Sequence, residues 1–488
     1  MPSAKAVAWL VILMVFPLIG FAAYYFIGKE YSRIDPARCK TNRMLAPLKE
    51  KLADRCAQRL PPETVRQHVG DERLRAMLKN NIFLPITVCN QTTVYTEGTE
   101  AFAAMFESIS LAKVYIHIEF YIIRDDEIGK RFQQLLIRKS REGVNVRLLY
   151  DGIGCLRLRK TYLRELKDAG VEIGCFAPPV PAFLNKRINY RNHRKIVVVD
   201  GEVGFIGGLN VGDEYLGRKA EIGYWRDTHF RIKGDAVLWI QYTFARDWFV
   251  VKRQLLDDPV YYPVRPAQGN EFVQMIKSGP DETILELIFT LIVSAKKRIY
   301  IETPYFIPDP AVFLALKTAA MRGVDVRVII PAVPDSKVVY WASLSFVQDL
   351  LQAGIRFYRY QKGFIHAKVV ICDETACSGS ANLDMRSFIG QFEINAMFFD
   401  GQVVNRLVAD FFAILGKAKK SCPRNSRSGR NPRNGKKFLR VCFPLYFDPG
   451  GSRTIGRFDP ASGPGGGDSV AGHAPFPRPF RLHPKFRE

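Results

Sequence analysis

Two stretches of the chain share one spacing of side chains that can do chemistry. In the first, His193 and Lys195 are followed by Asp200 and then by Gly207-Gly208-Leu209-Asn210. In the second, His366 and Lys368 are followed by Asp373 and then by Gly379-Ser380-Ala381-Asn382, with the two histidines 173 positions apart. Each reads His-x-Lys-x-x-x-x-Asp on an apolar run, and strand alternation puts histidine and lysine on one face. A lysine beside an imidazole supplies positive charge for a phosphate oxygen. It also depresses the histidine's pKa, which keeps the ring neutral and nucleophilic. The small residues and amides that follow add donors near the same anion. A lone histidine on a strand is more often a core residue, but two copies, each followed by Gly-x-x-Asn, point to a paired site. The other five histidines (His68, His117, His229, His473, His483) lack that company and default to structural or surface roles.

Such motifs need elements to hold them. The β-branched and aromatic run from Lys113 to Ile123 predicts a buried strand. A helix follows over 127–141, ended by Gly143, then a strand over 144–150, a helix over 160–169 and a strand over 171–176. This alternation predicts a mainly parallel sheet with helices on its faces. The second half repeats the grammar. Arg298 to Phe306 corresponds to the first strand, with Tyr305 matching Tyr121 and Asp309 matching Asp125. Gly323-Val324-Asp325-Val326 repeats Gly143-Val144-Asn145-Val146, and Ala353-Gly354-Ile355 repeats Ala169-Gly170-Val171. With both motifs in register, internal duplication explains the pattern. An amphipathic helix over 404–415 closes the second half.

A chain of 488 residues exceeds one core. Its net charge of +23 calls for nucleic acid or an anionic membrane surface, and composition alone does not choose. The nine cysteines are scattered, form no C-x-x-C pair and read as reduced thiols. No cluster has zinc-ligand spacing, so no metal and no cofactor is inferred. From Ala6 to Ile27 the chain is almost wholly apolar and predicts one transmembrane helix. The basic residues that follow it place the bulk of the protein on the cytoplasmic side. Residues 417–488 hold 16 Lys+Arg against 4 Asp+Glu, are rich in glycine and proline, and read as a disordered tail. The expected divisions are an anchor (1–30), a juxtamembrane connector (31–95), a first half (96–250), a connector (251–275), a second half (276–416) and the basic tail.

The duplicated motif resembles the phospholipase D superfamily. Four further stretches resemble its bacterial cardiolipin synthase branch: Tyr190 to Lys195, Trp225 to His229, Thr303 to Asp309 and Ser380 to Ser387. The resemblance implies an α/β fold of two duplicated halves related by a pseudo-twofold, with both motifs in one cleft. It implies a covalent phosphohistidine mechanism in which His193 attacks and His366 serves as acid and base, an assignment that can be reversed. Lys195, Lys368, Asn210, Ser380 and Asn382 would surround the phosphoryl group, and Asp227 and Glu393 would orient the histidines. Asp200 and Asp373 complete the two catalytic motifs but look structural. Tyr305 and Arg386 are candidates for the cleft wall. The implied reaction transfers a phosphatidyl group between two phosphatidylglycerol molecules and releases glycerol, at a bacterial inner membrane. The expected partners are an anionic phospholipid and the membrane, with no specific nucleic acid.

Three departures stand out. Relatives commonly carry two N-terminal spans where this chain has room for one, which points to a truncated or reassigned start. Gln391 stands where asparagine is usual. The tail lacks the family's apolar ending, and its composition fits a frameshift. Rival readings are a phospholipase D or phosphatidylserine synthase with water or serine as acceptor, and an impaired membrane protein whose basic tail binds lipid or nucleic acid.

Overall fold

The structure is a computed structural model that describes residues 3–24, 36–60, 62–69, 71–79, 84–180, 190–279, 281, 283–399 and 401–421. Fifteen strands follow one path across a single large sheet, and the order of that path carries the symmetry. The first half contributes β1 (Ile86–Glu97), β2 (Tyr115–Phe120), β3 (Asn145–Asp151), β4 (Glu172–Phe176), β6 (Lys195–Val199), β7 (Val203–Gly207) and β8 (Tyr224–Lys233), with the two-residue β5 (Arg191–Asn192) outside this sheet. The second contributes β9 (Glu271–Lys277), β10 (Arg298–Glu302), β11 (Asp325–Pro331), β12 (Arg356–Tyr360), β14 (Val369–Cys372), β15 (Thr375–Gly379) and β17 (Ile394–Phe399). Read from either edge, each half runs through equivalent strands: β4-β3-β2-β6-β7-β8-β1 meets β9-β17-β15-β14-β10-β11-β12. The seam is the antiparallel pair β1–β9, with Thr87 opposite Val273. Here lies the pseudo-twofold.

The sheet is mixed rather than mainly parallel. Only β2-β3-β4 and β10-β11-β12 run parallel within it along the path, because among neighbouring strands of the sheet only these are joined by helical crossovers. The strands that carry the motifs return through tight turns, which force antiparallel pairing. Asp200 and Asp373 sit at those turns with φ of +50° and +51°.

Helices α1 (Ser3–Val15), α2 (Pro17–Ala23), α3 (Pro36–Arg59), α4 (Pro62–His68) and α5 (Glu72–Leu78) precede the sheet. In the first half, α6 (Gly98–Ser110), α7 (Glu127–Arg141) and α8 (Lys160–Asp168) cover one face through Phe102, Phe132 and Tyr162. The second half uses α10 (Thr283–Ser294), α11 (Pro310–Met321) and α12 (Lys337–Gln352) through Ile284, Leu316 and Val347. The opposite face is one continuous core shared by both halves. It is filled by α3, α9 (Ala236–Lys252) and α13 (Gln402–Leu415), with Leu52, Trp239, Trp248 and Phe411 fully or almost fully buried.

Several expectations need correction. The predicted transmembrane helix is not formed: among the described residues no helix is long and apolar enough to cross a membrane. The single-pass topology inferred from it falls with it. Pro17 lacks the N–H that would continue the ladder, and Phe16 leaves helical conformation with ψ of 71°. The apolar run therefore divides into helices of 13 and 7 residues. At 1.5 Å per residue each falls short of a hydrocarbon core roughly 30 Å thick. The two segments fold against each other, since a Cβ on Gly20 would lie 2.7 Å from the Ile12 carbonyl oxygen. Residues 25–27 of the expected span lie outside the described residues. Within the ranges taken as connectors, 31–95 holds α3 and most of β1, and 251–275 holds the start of β9. Ala418–Lys420, the first residues of the supposed tail, form an edge strand against β12; residues 422–488 lie outside the described residues.

Candidate active site

Each motif histidine is positioned by a short parallel pairing that reaches across the dyad. Strand β5 pairs with β16 (Gln391–Phe392), Asn192 opposite Phe392, and the His193 N–H donates to the Phe392 carbonyl at 2.9 Å. The residue after Phe392 is Glu393. In the second copy β13 (Gly363–Ile365) pairs with β8, Ile365 opposite Arg226, and the His366 N–H donates to the Arg226 carbonyl at 2.7 Å. The residue after Arg226 is Asp227. Backbone register alone thus places a carboxylate of one half beside the histidine of the other.

The side chains complete that arrangement. His193 Nδ1 lies 3.0 Å from both Glu393 carboxylate oxygens, and His366 Nδ1 lies 2.6 Å from Asp227 Oδ2. With each Nδ1–H donated to a carboxylate, Nε2 carries the lone pair. Tyr121 packs edge-on to His193 and Trp225 against His366, both with ring centroids 4.9 Å apart. Lys195 Nζ donates to the His193 carbonyl at 2.6 Å. Lys368 Nζ does the same to His366 and lies 3.1 Å from that ring's Nε2.

Burial and like charge set the protonation states. His193 is held well below the usual imidazole range, by burial first and then by Lys195, Lys368 and Arg386. His366 is lowered to about 4, by burial and then Lys368. Burial lowers Lys195 to about 7 and Lys368 to about 8, against the pull of the nearby carboxylates. The two carboxylates diverge. Burial raises Glu393 to about 7. Burial also works to raise Asp227, but Lys368 and His366 outweigh it and bring that group down to about 2.

His193, His366, Asn210, Asn382, Tyr305, Arg386 and Gln391 line one cleft of about 630 Å³ at the junction of the halves. Asn210 holds the scaffold as well: Oδ1 accepts from the Ile122 N–H at 3.1 Å, and Nδ2 donates to the Tyr215 hydroxyl at 3.1 Å. Asn382 Oδ1 is buried without a hydrogen-bond partner. Ser380 departs from its expected place at the phosphate. Its hydroxyl donates to Glu393 Oε2 at 2.5 Å and accepts from the Ile394 N–H at 2.9 Å, so it holds a carboxylate. The equivalent Gly208 leaves room for one: a Cβ there would meet Asp227 Oδ1 at 2.0 Å. Asp200 and Asp373 stand away from the cleft. Asp200 accepts from the N–H groups of Lys113, Val114 and Tyr115, and Asp373 from those of Lys296, Lys297 and Arg298.

Sequence reading missed the support beneath the first motif. Arg194, fully buried, pairs with Asp247 of α9 and donates from Nε to the Glu393 carbonyl at 3.1 Å. Asn192 bonds Glu119. An arginine two residues before the wholly apolar run Ile196–Val199 was the available signal, since a buried guanidinium demands a partner.

Comparison with known proteins agrees with this geometry. Residues 105–248 and 288–415 match the family described as cardiolipin synthase, PLD-like domain, and residues 2–29 match a phospholipase D-nuclease N-terminal family. The chain is 43% identical to cardiolipin synthase 2 of Bacillus cereus over 84% of its own length and 80% of that protein's. It is 44% identical to the cardiolipin synthase of Halalkalibacterium halodurans over 83% and 82%, and 41% identical to the major cardiolipin synthase of Bacillus subtilis over 83% and 86%. A crystal structure of a phosphatidylserine synthase from Haemophilus influenzae shares the fold, with a TM-score of 0.59 at 17% identity over 77% of this chain and 98% of that one.

Proposed function

Because the chain belongs to the cardiolipin synthase family of phospholipase D-like proteins, we propose that its cleft joins two phosphatidylglycerol molecules into cardiolipin and releases glycerol. The observation that carries this reading is the pair of imidazoles facing one cleft, each held by a carboxylate, within a chain more than 40% identical to enzymes of that name.

In the first step, His193 Nε2 attacks the phosphorus of one phosphatidylglycerol. A P–N bond forms and the bond to the glycerol oxygen breaks; His366, having first taken up a proton at Nε2 to become an imidazolium balanced by Asp227, gives that proton to the oxygen. In the second, a hydroxyl of another phosphatidylglycerol returns a proton to His366 and attacks phosphorus, and the P–N bond breaks. Glu393 orients His193 and stabilises it as the phosphohistidine; Asp227 does the same for the imidazolium at His366. Lys195 and Lys368, with the amides of Asn210 and Asn382, oppose the charge that grows on the phosphoryl oxygens.

Membranes containing the expressed chain and phosphatidylglycerol labelled in its headgroup glycerol test the reading. Labelled cardiolipin with free labelled glycerol is expected. Phosphatidic acid as the sole lipid product, or no turnover, overturns it.

A further inference from the structure

The dyad relates two loops that leave equivalent parallel strands at the same end of the sheet: β3 to α8 in one half and β11 to α12 in the other. The second, with the start of α12, forms a wall of the cleft, and the first stands behind the wall that Tyr121 provides. Gly154 of the first packs so closely on Tyr121 that a Cβ would lie 2.0 Å from its carbonyl oxygen, and Asp335 and Val339 of the second line the cleft directly. Both also turn apolar side chains outward. Leu156 is 63% exposed, Val333 44%, Val338 54% and Trp341 50%. Trp225, Trp239 and Trp248 are all buried, so Trp341 is the exception among the tryptophans of the two halves. Exposed basic residues stand among these groups: Arg157 and Lys160 on one rim, Lys337 on the other.

A tryptophan between apolar residues and a lysine suits the boundary between acyl chains and headgroups. Apolar contact and attraction of basic side chains to anionic headgroups add in such settings. We propose that the two rims together form a docking surface for an anionic phospholipid bilayer, setting the mouth of the cleft against the leaflet that holds the substrate. The inference rests on the reading that the substrate is a phospholipid. It assigns the contact to the cleft rims, independently of the apolar N-terminal helices. A substrate headgroup then enters the cleft while its acyl chains stay in the leaflet between the rims.

The test uses the full chain. Vesicles of phosphatidylglycerol and brominated phosphatidylcholine are mixed with the protein and with Trp341→Phe, and tryptophan fluorescence is recorded. The wild-type chain is expected to show a quenched component that Trp341→Phe lacks, at least fivefold weaker on vesicles of brominated phosphatidylcholine alone. Identical quenching of the two proteins, or equal quenching of Trp341 on neutral vesicles, overturns the proposal. In a second arm, Leu156→Ser/Val338→Ser is expected to turn over vesicular phosphatidylglycerol at least tenfold more slowly, and dispersed short-chain phosphatidylglycerol at the wild-type rate. Equal loss on both substrates overturns the proposal. Quenching needs no turnover, so a chain that docks without making cardiolipin fails the functional reading alone.

Discussion

His366 Nδ1 lies 2.6 Å from Asp227 Oδ2, and 139 residues and the dyad separate them in the chain. Neither half therefore contains a complete histidine–carboxylate pair, because the partner of His193 is likewise Glu393 from the opposite half.

Removing the charge from one partner while keeping its shape should cripple turnover without unfolding the protein. Asp227→Asn is expected to lower kcat by about 10²- to 10⁴-fold, as loss of an orienting carboxylate does in other imidazole sites. Gly208→Ser should reproduce much of that loss, since its new side chain would occupy the space of the Asp227 carboxylate. Steady-state kinetics beside a thermal melt checks both; a fall in activity that only tracks a fall in Tm would remove the orienting role.

The two histidines should be separable by the adduct each allows. With lipid labelled in the phosphatidyl group, His366→Ala keeps the nucleophile and is expected to accumulate labelled protein, slowly because the first step lacks its acid and persistently because the second lacks its base, while His193→Ala should remain unlabelled. Acid-labile label on His193→Ala instead would reverse the assignment.

Alkaline pH should slow the enzyme through its lysines. A lysine carries charge only below its pKa, so the positive field on the phosphoryl group fades as pH rises through about 7 for Lys195 and about 8 for Lys368. The expected kcat/KM falls across that window. Lys195→Arg stays charged throughout, and its alkaline limb should move up by about one pH unit. An unchanged limb would mean that another group titrates.

Arg194 and Asp247 are both fully buried, so breaking the pair strands a charge. Arg194→Met is expected to cost roughly 3–5 kcal/mol of stability, read by denaturant unfolding. A loss below 1 kcal/mol would show that Asp247 finds another partner.

Asp200 satisfies three backbone N–H groups and touches nothing in the cleft. Asp200→Ala should destabilise the chain by about 1–3 kcal/mol through those unpaired donors, with kcat of the folded fraction within threefold of wild type. A hundredfold loss of kcat at unchanged Tm would place Asp200 in the chemistry after all.

The sequence by itself determined what local pattern can carry. Helix α7 lies where its start and glycine stop predicted, and the duplication was legible because matched landmarks recur in order. The His-Lys pairs were legible for the same reason. Apolar composition alone was a poorer guide, since the run from Ala6 meets Pro17 and the backbone breaks there.

What tertiary structure decided concerns residues far apart in the chain. Only the pairing of β5 with β16 and of β13 with β8 decides which carboxylate serves which histidine, because hydrogen-bond register between distant strands leaves no trace in local periodicity. Burial did the rest. The same residue types, Asp and Glu, become a carboxylate held near pKa 2 at Asp227 and one raised to about 7 at Glu393. That difference depends on how closely a lysine and a histidine approach in a site closed to water, a property of the assembled cleft.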